Sequence, residues 1–175
     1  MKTIILLLCG IILSRIIPHP PNMTPVIAFS LFLASRSRYA LIEILLSFFI
    51  SDIFLSFIDH YPLFGYWSIF NYSAIMLIIL FSQYFRQYKL FFGLNSALFF
   101  WIWTNFGVWF SANMYPLDIQ GLSACYITAV PFLINSLIGT AAGYALINFL
   151  PNFALQLDKF RRKLHYCINI LAKNV

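Results

Sequence analysis

The chain has 175 residues, 62% of them hydrophobic and 9% charged, with 20 phenylalanines. A soluble domain of this length carries far more polar surface, so the composition indicates an integral membrane protein. The net charge of +6 does not point to nucleic acid, because the basic residues sit in short loops and in the C-terminal tail.

Crossing the hydrocarbon core of ~30 Å takes about 20 apolar residues in a helix. The apolar runs are continuous rather than alternating, which argues against a transmembrane barrel. The expected fold is therefore all-α, a single bundle of six transmembrane helices over residues 1–150, followed by a basic amphipathic helix over residues 151–175.

The first apolar run, Thr3 to Ile17, follows Lys2. It has the look of a signal peptide, but no small-x-small cleavage site follows, and Leu8 stands where a lipoprotein signal needs a small residue before Cys9. It reads as a retained first span.

Next comes "PHPPNMTP", Pro18 to Pro25, and then a run of only ten residues, Pro25 to Ala34. Prolines prevent a continuous helix, and backbone polar groups cannot face lipid unpaired. This knot is expected to be enclosed by protein or to line a wet cavity, with the short second span completing the distance. His19, Asn22 and Thr24 belong to it.

Tyr39–Ile58, Tyr66–Phe85 and Leu90–Phe110 have full spanning length. The last run, Leu122 to Leu150, is too long for one straight span. Pro131 divides it, since proline starts helices well and interrupts them badly. Pro131–Leu150 becomes the sixth span, and "GLSACYITAV" a short segment folded against the outer end of the bundle.

Lys2, Arg36, Arg38, Arg86 and Lys89 alternate with the loops "DHYPLFGYW" and "SANMYPLDIQG", which hold no Lys or Arg. The positive-inside rule then places both termini in the cytoplasm and predicts a multi-pass protein of the bacterial inner membrane. Arg15, near the outer end of span one, is the exception, placed to snorkel or to face a pocket. In the tail, Leu157, Phe160, Leu164, Ile168 and Leu171 recur at helical spacing among basic residues, the pattern of a helix lying on an anionic leaflet.

Polar residues inside a membrane are costly, so their depth is informative. Asn22, Thr24, Asp52, Asn71, Asn105 and Asn135 all fall toward the outer side, from different segments. Helix-to-helix hydrogen bonding explains any one of them; together they outline a pocket. Trp101, Asn105 and Trp109 share one helical face, and Tyr126 joins them from the segment before Pro131. An amide between indoles suits a flat, partly polar ligand. Asp52 is either a proton or cation site or the partner of Arg15. Glu43 reads as structural beside Arg36 and Arg38. Gly139 and Gly143 form a G-x-x-x-G pattern for close helix packing.

Cys9, Cys125 and Cys167 are far apart, which implies neither a disulfide framework nor a metal cluster. No P-loop, dinucleotide fingerprint or metal-spaced His/Glu pair is present, and no histidine lies in a span to activate Ser123. No cofactor and no enzymatic activity are expected. Any energy source must be a gradient or a separate ATPase subunit.

"RIIPHPPNMTPVIAFSLF", Ser51–Asp52, "NFGVWF" at Asn105–Phe110 and "GLSACYITAVPFLINSLIG" at Gly121–Gly139 resemble a family of small six-helix bacterial membrane proteins described as transport proteins. That family in turn resembles the substrate-binding S components of energy-coupling-factor vitamin transporters. The resemblance implies a ligand pocket near the outer face, partly closed by the loops after spans one, three and five. It also implies small residues on span one for contact with a partner, of which Gly10 and Ser14 are a short version. One solitary type captures cobalamin through a cysteine in the loop after span three; here His60 is the only comparable residue. The expected function is capture of a small vitamin-like molecule from outside. A membrane assembly or cell-shape subunit is the other class that the same residues would serve.

Overall fold

The structure is a computed structural model that describes residues 2–60, 62–84 and 89–149. The described residues are helical and contain no strand: α1 Lys2–Ile16, α2 Val26–Ala34, α3 Ala40–Asp59, α4 Tyr66–Ser82, α5 Lys89–Ser111 and α6 Ile119–Thr128, followed by α7 Val130–Phe149. The chain divides into two units, Met1–Tyr144 and Ala145–Val175. Of the second, the described residues are 145–149, the last part of α7; the expected tail helix lies outside the described residues. Every contact given below lies within the first unit.

Two of these helices, Ala40–Ile58 in α3 and Val130–Phe149 in α7, are both long and apolar enough to cross a membrane. The 15 residues of α1 and the 17 of α4 are apolar but shorter. The 23 residues of α5 have the length, but Asn95, Trp101, Trp103, Thr104 and Asn105 dilute its apolar character. Many large apolar side chains face outward, including Leu6, Ile42, Phe57, Ile69 and Phe91.

The nine residues of α2 rise only ~14 Å. Val26, Ile27, Ala28, Ser30, Leu31 and Leu33 are all buried, so the helix is covered on every side. It packs against α1, α3, α4 and α5. Val26 and Leu33 enter a core with Ile11, Ile44, Phe48 and Ile75; Ile27 and Leu31 enter a second with Ile78 and Ala97. The short second helix is thus the central post of the fold. Its length is tolerable because neighbouring helices, rather than lipid, surround it.

The remaining side of α2 is met by α7 at two glycines. A Cβ on Gly139 would lie 2.6 Å from the backbone N and O of Thr24, and one on Gly143 would lie 2.7 Å from the Ala28 Cβ. The G-x-x-x-G pattern is therefore an internal seat for the end of the proline loop and the start of α2.

The division at Pro131 is also present. Ala129 alone stands between α6 and α7, its own backbone still right-handed, and Pro131 occupies the first turn of α7. Pro131 has no N–H to donate to the Ile127 carbonyl, so the helix cannot run through. The N–H groups of Phe132 and Leu133 instead converge on the Ala129 carbonyl, at 3.1 and 3.3 Å.

Among the described residues, three non-glycine residues adopt left-handed backbone, Asn22 (φ 65°), His60 (φ 54°) and Asn113 (φ 53°). They fall one in each of the connections α1–α2, α3–α4 and α5–α6, and reverse the chain at the same end of the bundle. Asparagine takes this conformation with little strain. At the opposite end, Glu43 does not pair with the arginines. Arg36 stacks on Phe32 and Arg38 on Tyr39, and the Glu43 Oε2 is buried without a partner among the described residues.

Candidate functional site

A cavity of about 530 Å³ opens at the end of the bundle where the three left-handed turns lie. Its wall is assembled from every part of the first unit: Arg15 of α1, His19, Asn22 and Thr24 of the proline loop, Phe48 of α3, Asn71 of α4, Thr104 and Asn105 of α5, Tyr115 of the α5–α6 loop, Thr128 of α6 and Ser136 of α7. Apolar side chains fill the gaps, chiefly Ile27, Ile75, Phe100, Val108 and Phe132. Exposed Asn22, Trp67 and Met114 mark the mouth. The size and the mixture of apolar wall with a few polar groups suit a small organic molecule.

The proline loop is held in place from two directions. The Asn135 Nδ2 donates to the Pro21 carbonyl at 3.0 Å, tying the loop to α7. His19 Nδ1 lies 2.5 Å from the Ile17 carbonyl. A carbonyl only accepts, so Nδ1 carries the proton in this contact. Asn22 and Thr24 follow within this braced loop and line the cavity.

Arg15, which also lines the cavity, reaches from α1 to α3. Its Nη1 donates to the Phe48 carbonyl at 3.1 Å and to the Ser51 Oγ at 2.5 Å, and its Nη2 donates to the Asp52 Oδ1 at 2.5 Å. The guanidinium also lies 4.4 Å over the Phe48 ring. Tyr72 of α4 donates to the other oxygen of Asp52 at 2.6 Å. Of the two readings open for Asp52, the geometry shows the ion pair with Arg15. The arginine lines the cavity, while the aspartate stands behind it.

Along α5 the cavity face is Phe100, Thr104, Asn105 and Val108. The expected face of Trp101, Asn105 and Trp109 shares only Asn105 with it. The two indoles turn instead toward backbone carbonyls, one at the end of α6 and one in the α5–α6 loop. Trp101 Nε1 donates to the Ala129 carbonyl at 2.8 Å, and Trp109 Nε1 to the Pro116 carbonyl at 2.9 Å. Tyr126 stacks edge-on against Trp101 with centroids 5.1 Å apart, and its hydroxyl donates to the Ile102 carbonyl at 2.8 Å.

Of the nine residues expected to bind substrate, Asn22, Thr24, Asn71 and Asn105 meet at the cavity. Asp52, Trp101, Trp109, Tyr126 and Asn135 support its walls. The Asn105 Nδ2 is committed to the Trp101 carbonyl at 2.7 Å, which leaves its Oδ1 as an acceptor. The Asn71 amide makes no hydrogen bond among the described residues. Thr104, Tyr115, Thr128 and Ser136 are wall residues that spacing did not single out. A hydroxyl in a helix satisfies itself on the preceding turn, as Thr104 does on the Phe100 carbonyl at 2.8 Å, so it carries little signal in sequence.

Cys125 also lines the wall, 2% exposed, with its Sγ 3.5 Å from the Asn105 carbonyl. It lies in α6, outside the helices long enough to span, and burial pushes its thiol up from the ordinary range. His60, the residue comparable to a cobalamin-capturing cysteine, is exposed and does not line the cavity. Among the described residues no three His, Cys, Asp or Glu side chains gather as a metal site.

Comparison with curated proteins and with solved structures returns no match. A family model matches residues 1–161, and on that coverage the chain belongs to DUF6580, a family of unknown function.

Proposed function

We propose that the protein is a six-span membrane protein of the bacterial inner membrane that captures a small, vitamin-like molecule from the outer side for uptake, in the manner of a substrate-binding S component. In this arrangement α1–α5 and α7 are the spans and α6 folds back at the outer end. Both termini face the cytoplasm, and movement of the ligand depends on a gradient or on a separate energising subunit with ATPase activity. The outward-facing apolar side chains and the placement of Lys and Arg support the membrane assignment. The observation that carries the binding assignment is the cavity of about 530 Å³, walled by six asparagine and threonine residues from four separate segments and open at the end expected to face outward.

Native mass spectrometry of the full chain, released gently from its membrane, tests this. A displaceable small molecule at one copy per chain, lost in Asn105→Ala without loss of helicity, is the expected result. A stable complex with another membrane protein and no small molecule would instead favour an assembly subunit.

A further inference from the structure

This inference rests on the ligand-binding reading above and names the chemistry of the ligand: we infer that the cavity takes a small flat molecule bearing a carboxylate, and that Arg15 receives that carboxylate. Arg15 is the one charged side chain among the described residues that wall the cavity; no aspartate, glutamate or lysine joins it there. A guanidinium offers five N–H donors. Its contacts with Phe48, Ser51 and Asp52 engage two on Nη1 and one on Nη2. The Nε–H and the second N–H of Nη2 are left without a protein partner among the described residues.

Those three contacts, together with the Phe48 ring beneath, fix the plane of the guanidinium. A fixed fork with two donors to spare matches the two oxygens of a carboxylate, and charge-assisted bonds of this kind are roughly twice as strong as neutral ones. Asp52 does not compete as a ligand contact, because it does not line the cavity; its two oxygens accept from Arg15 and from the Tyr72 hydroxyl. Its role is to hold Arg15 in place and to balance its charge while the cavity is empty.

The rest of the wall describes the remainder of the ligand. Phe48, Trp67 and Phe100 offer ring faces and edges for a flat apolar body. Elsewhere on the wall, the Asn71 amide, unpartnered among the described residues, and the Asn105 Oδ1 can read a polar edge. An intramembrane arginine aimed at a polar cavity is costly unless it serves such a purpose.

Isothermal titration calorimetry on the purified full chain distinguishes the charge from the shape. The probes are benzoate, indole-3-carboxylate and naphthalene-2-carboxylate, each against its own carboxamide. The acids are expected to bind about tenfold tighter than the matched amides. Arg15→Gln alone would strand Asp52, so the informative variant is Arg15→Gln with Asp52→Asn, its fold checked by circular dichroism. This pair is expected to bind acid and amide equally. Equal binding by the wild-type protein, or an acid preference that persists in the double variant, overturns the inference. If amides bind as well as acids and Asn105→Ala abolishes both, the pocket stands and only its charge preference falls. If no acid binds at all, the inference falls, and a neutral molecule found by native mass spectrometry would still uphold the pocket.

Discussion

Arg15 and Asp52 stand 37 positions apart in the chain, yet their side chains meet at 2.5 Å and join α1 to α3 beside the cavity. Tyr72 extends the link to α4. Three helices are thus fastened by one carboxylate, at the depth where the proline loop turns back. The guanidinium and the carboxylate are 18% and 15% exposed, so each depends on the other for much of its solvation.

Removing one member of this pair should therefore cost more than removing both. Asp52→Ala leaves a mostly buried guanidinium unpaired and is expected to destabilise the fold by roughly 3 kcal/mol. Arg15→Met with Asp52→Leu, which leaves no charge behind, should recover most of that loss. Thermal unfolding in detergent, followed by circular dichroism, gives both values. A single variant as stable as the double would contradict the linkage.

The seat of the proline loop on α7 makes a second prediction. At Gly139 an added Cβ would meet the Thr24 backbone, which cannot move without displacing Asn22 and Thr24 from the cavity wall. Gly139→Ala is expected to cost about 2 kcal/mol by overpacking and to weaken ligand retention. Asn135→Ala, which frees the Pro21 carbonyl, should weaken retention with a smaller loss of stability of about 1 kcal/mol. Thermal unfolding and ligand occupancy in the same preparation separate the two effects.

The indoles of α5 give a third. Trp101→Phe removes a hydrogen bond to the Ala129 carbonyl at the α6–α7 break, and Trp109→Phe one to the Pro116 carbonyl. Each should lower stability by about 1 kcal/mol. Neither side chain lines the cavity, so ligand Kd should stay within about threefold of wild type. Asn105→Ala should change Kd by far more than either. Calorimetric titration of the three variants with the same ligand tests this ordering.

Cys125 supplies a reporter. With Cys9→Ser and Cys167→Ser in the background, it is the single remaining thiol. It is buried, and its pKa is raised, so the reactive thiolate is scarcer at neutral pH than in an ordinary cysteine. Maleimide labelling should be slow near neutrality and keep accelerating as pH rises beyond the ordinary thiol range. Because Cys125 lines the cavity, a bound ligand should slow labelling further. Intact-mass spectrometry over a labelling time course reads both effects.

Much of the fold was legible in local chemistry. Apolar run lengths located the helices to within a few residues, since most ends are marked by a nearby charge, glycine or proline. Pro131 divided α6 from α7 because an absent N–H acts wherever proline sits in a helix. Asn22, Thr24, Asn71 and Asn105 stood out because an amide or hydroxyl in an apolar run demands a reason. The cavity face of α5 was harder. Trp101 and Trp109 share a face with Asn105, but a tryptophan N–H seeks an acceptor, and the acceptors here are the Ala129 carbonyl at the end of α6 and the Pro116 carbonyl in the α5–α6 loop.

The sequence by itself determined the helical class, the break at Pro131, the kinked loop from Pro18 to Pro25 and the polar level at one end, all of which follow from hydropathy, proline geometry and the cost of burying polar groups. Only the tertiary structure decided that the shortest helix is the central one, that Arg15 rather than Asp52 faces the cavity, and that Gly139 seats the loop. Those outcomes depend on which residues meet across 37 positions, or across the 114 between Pro21 and Asn135, and no local pattern encodes such a meeting.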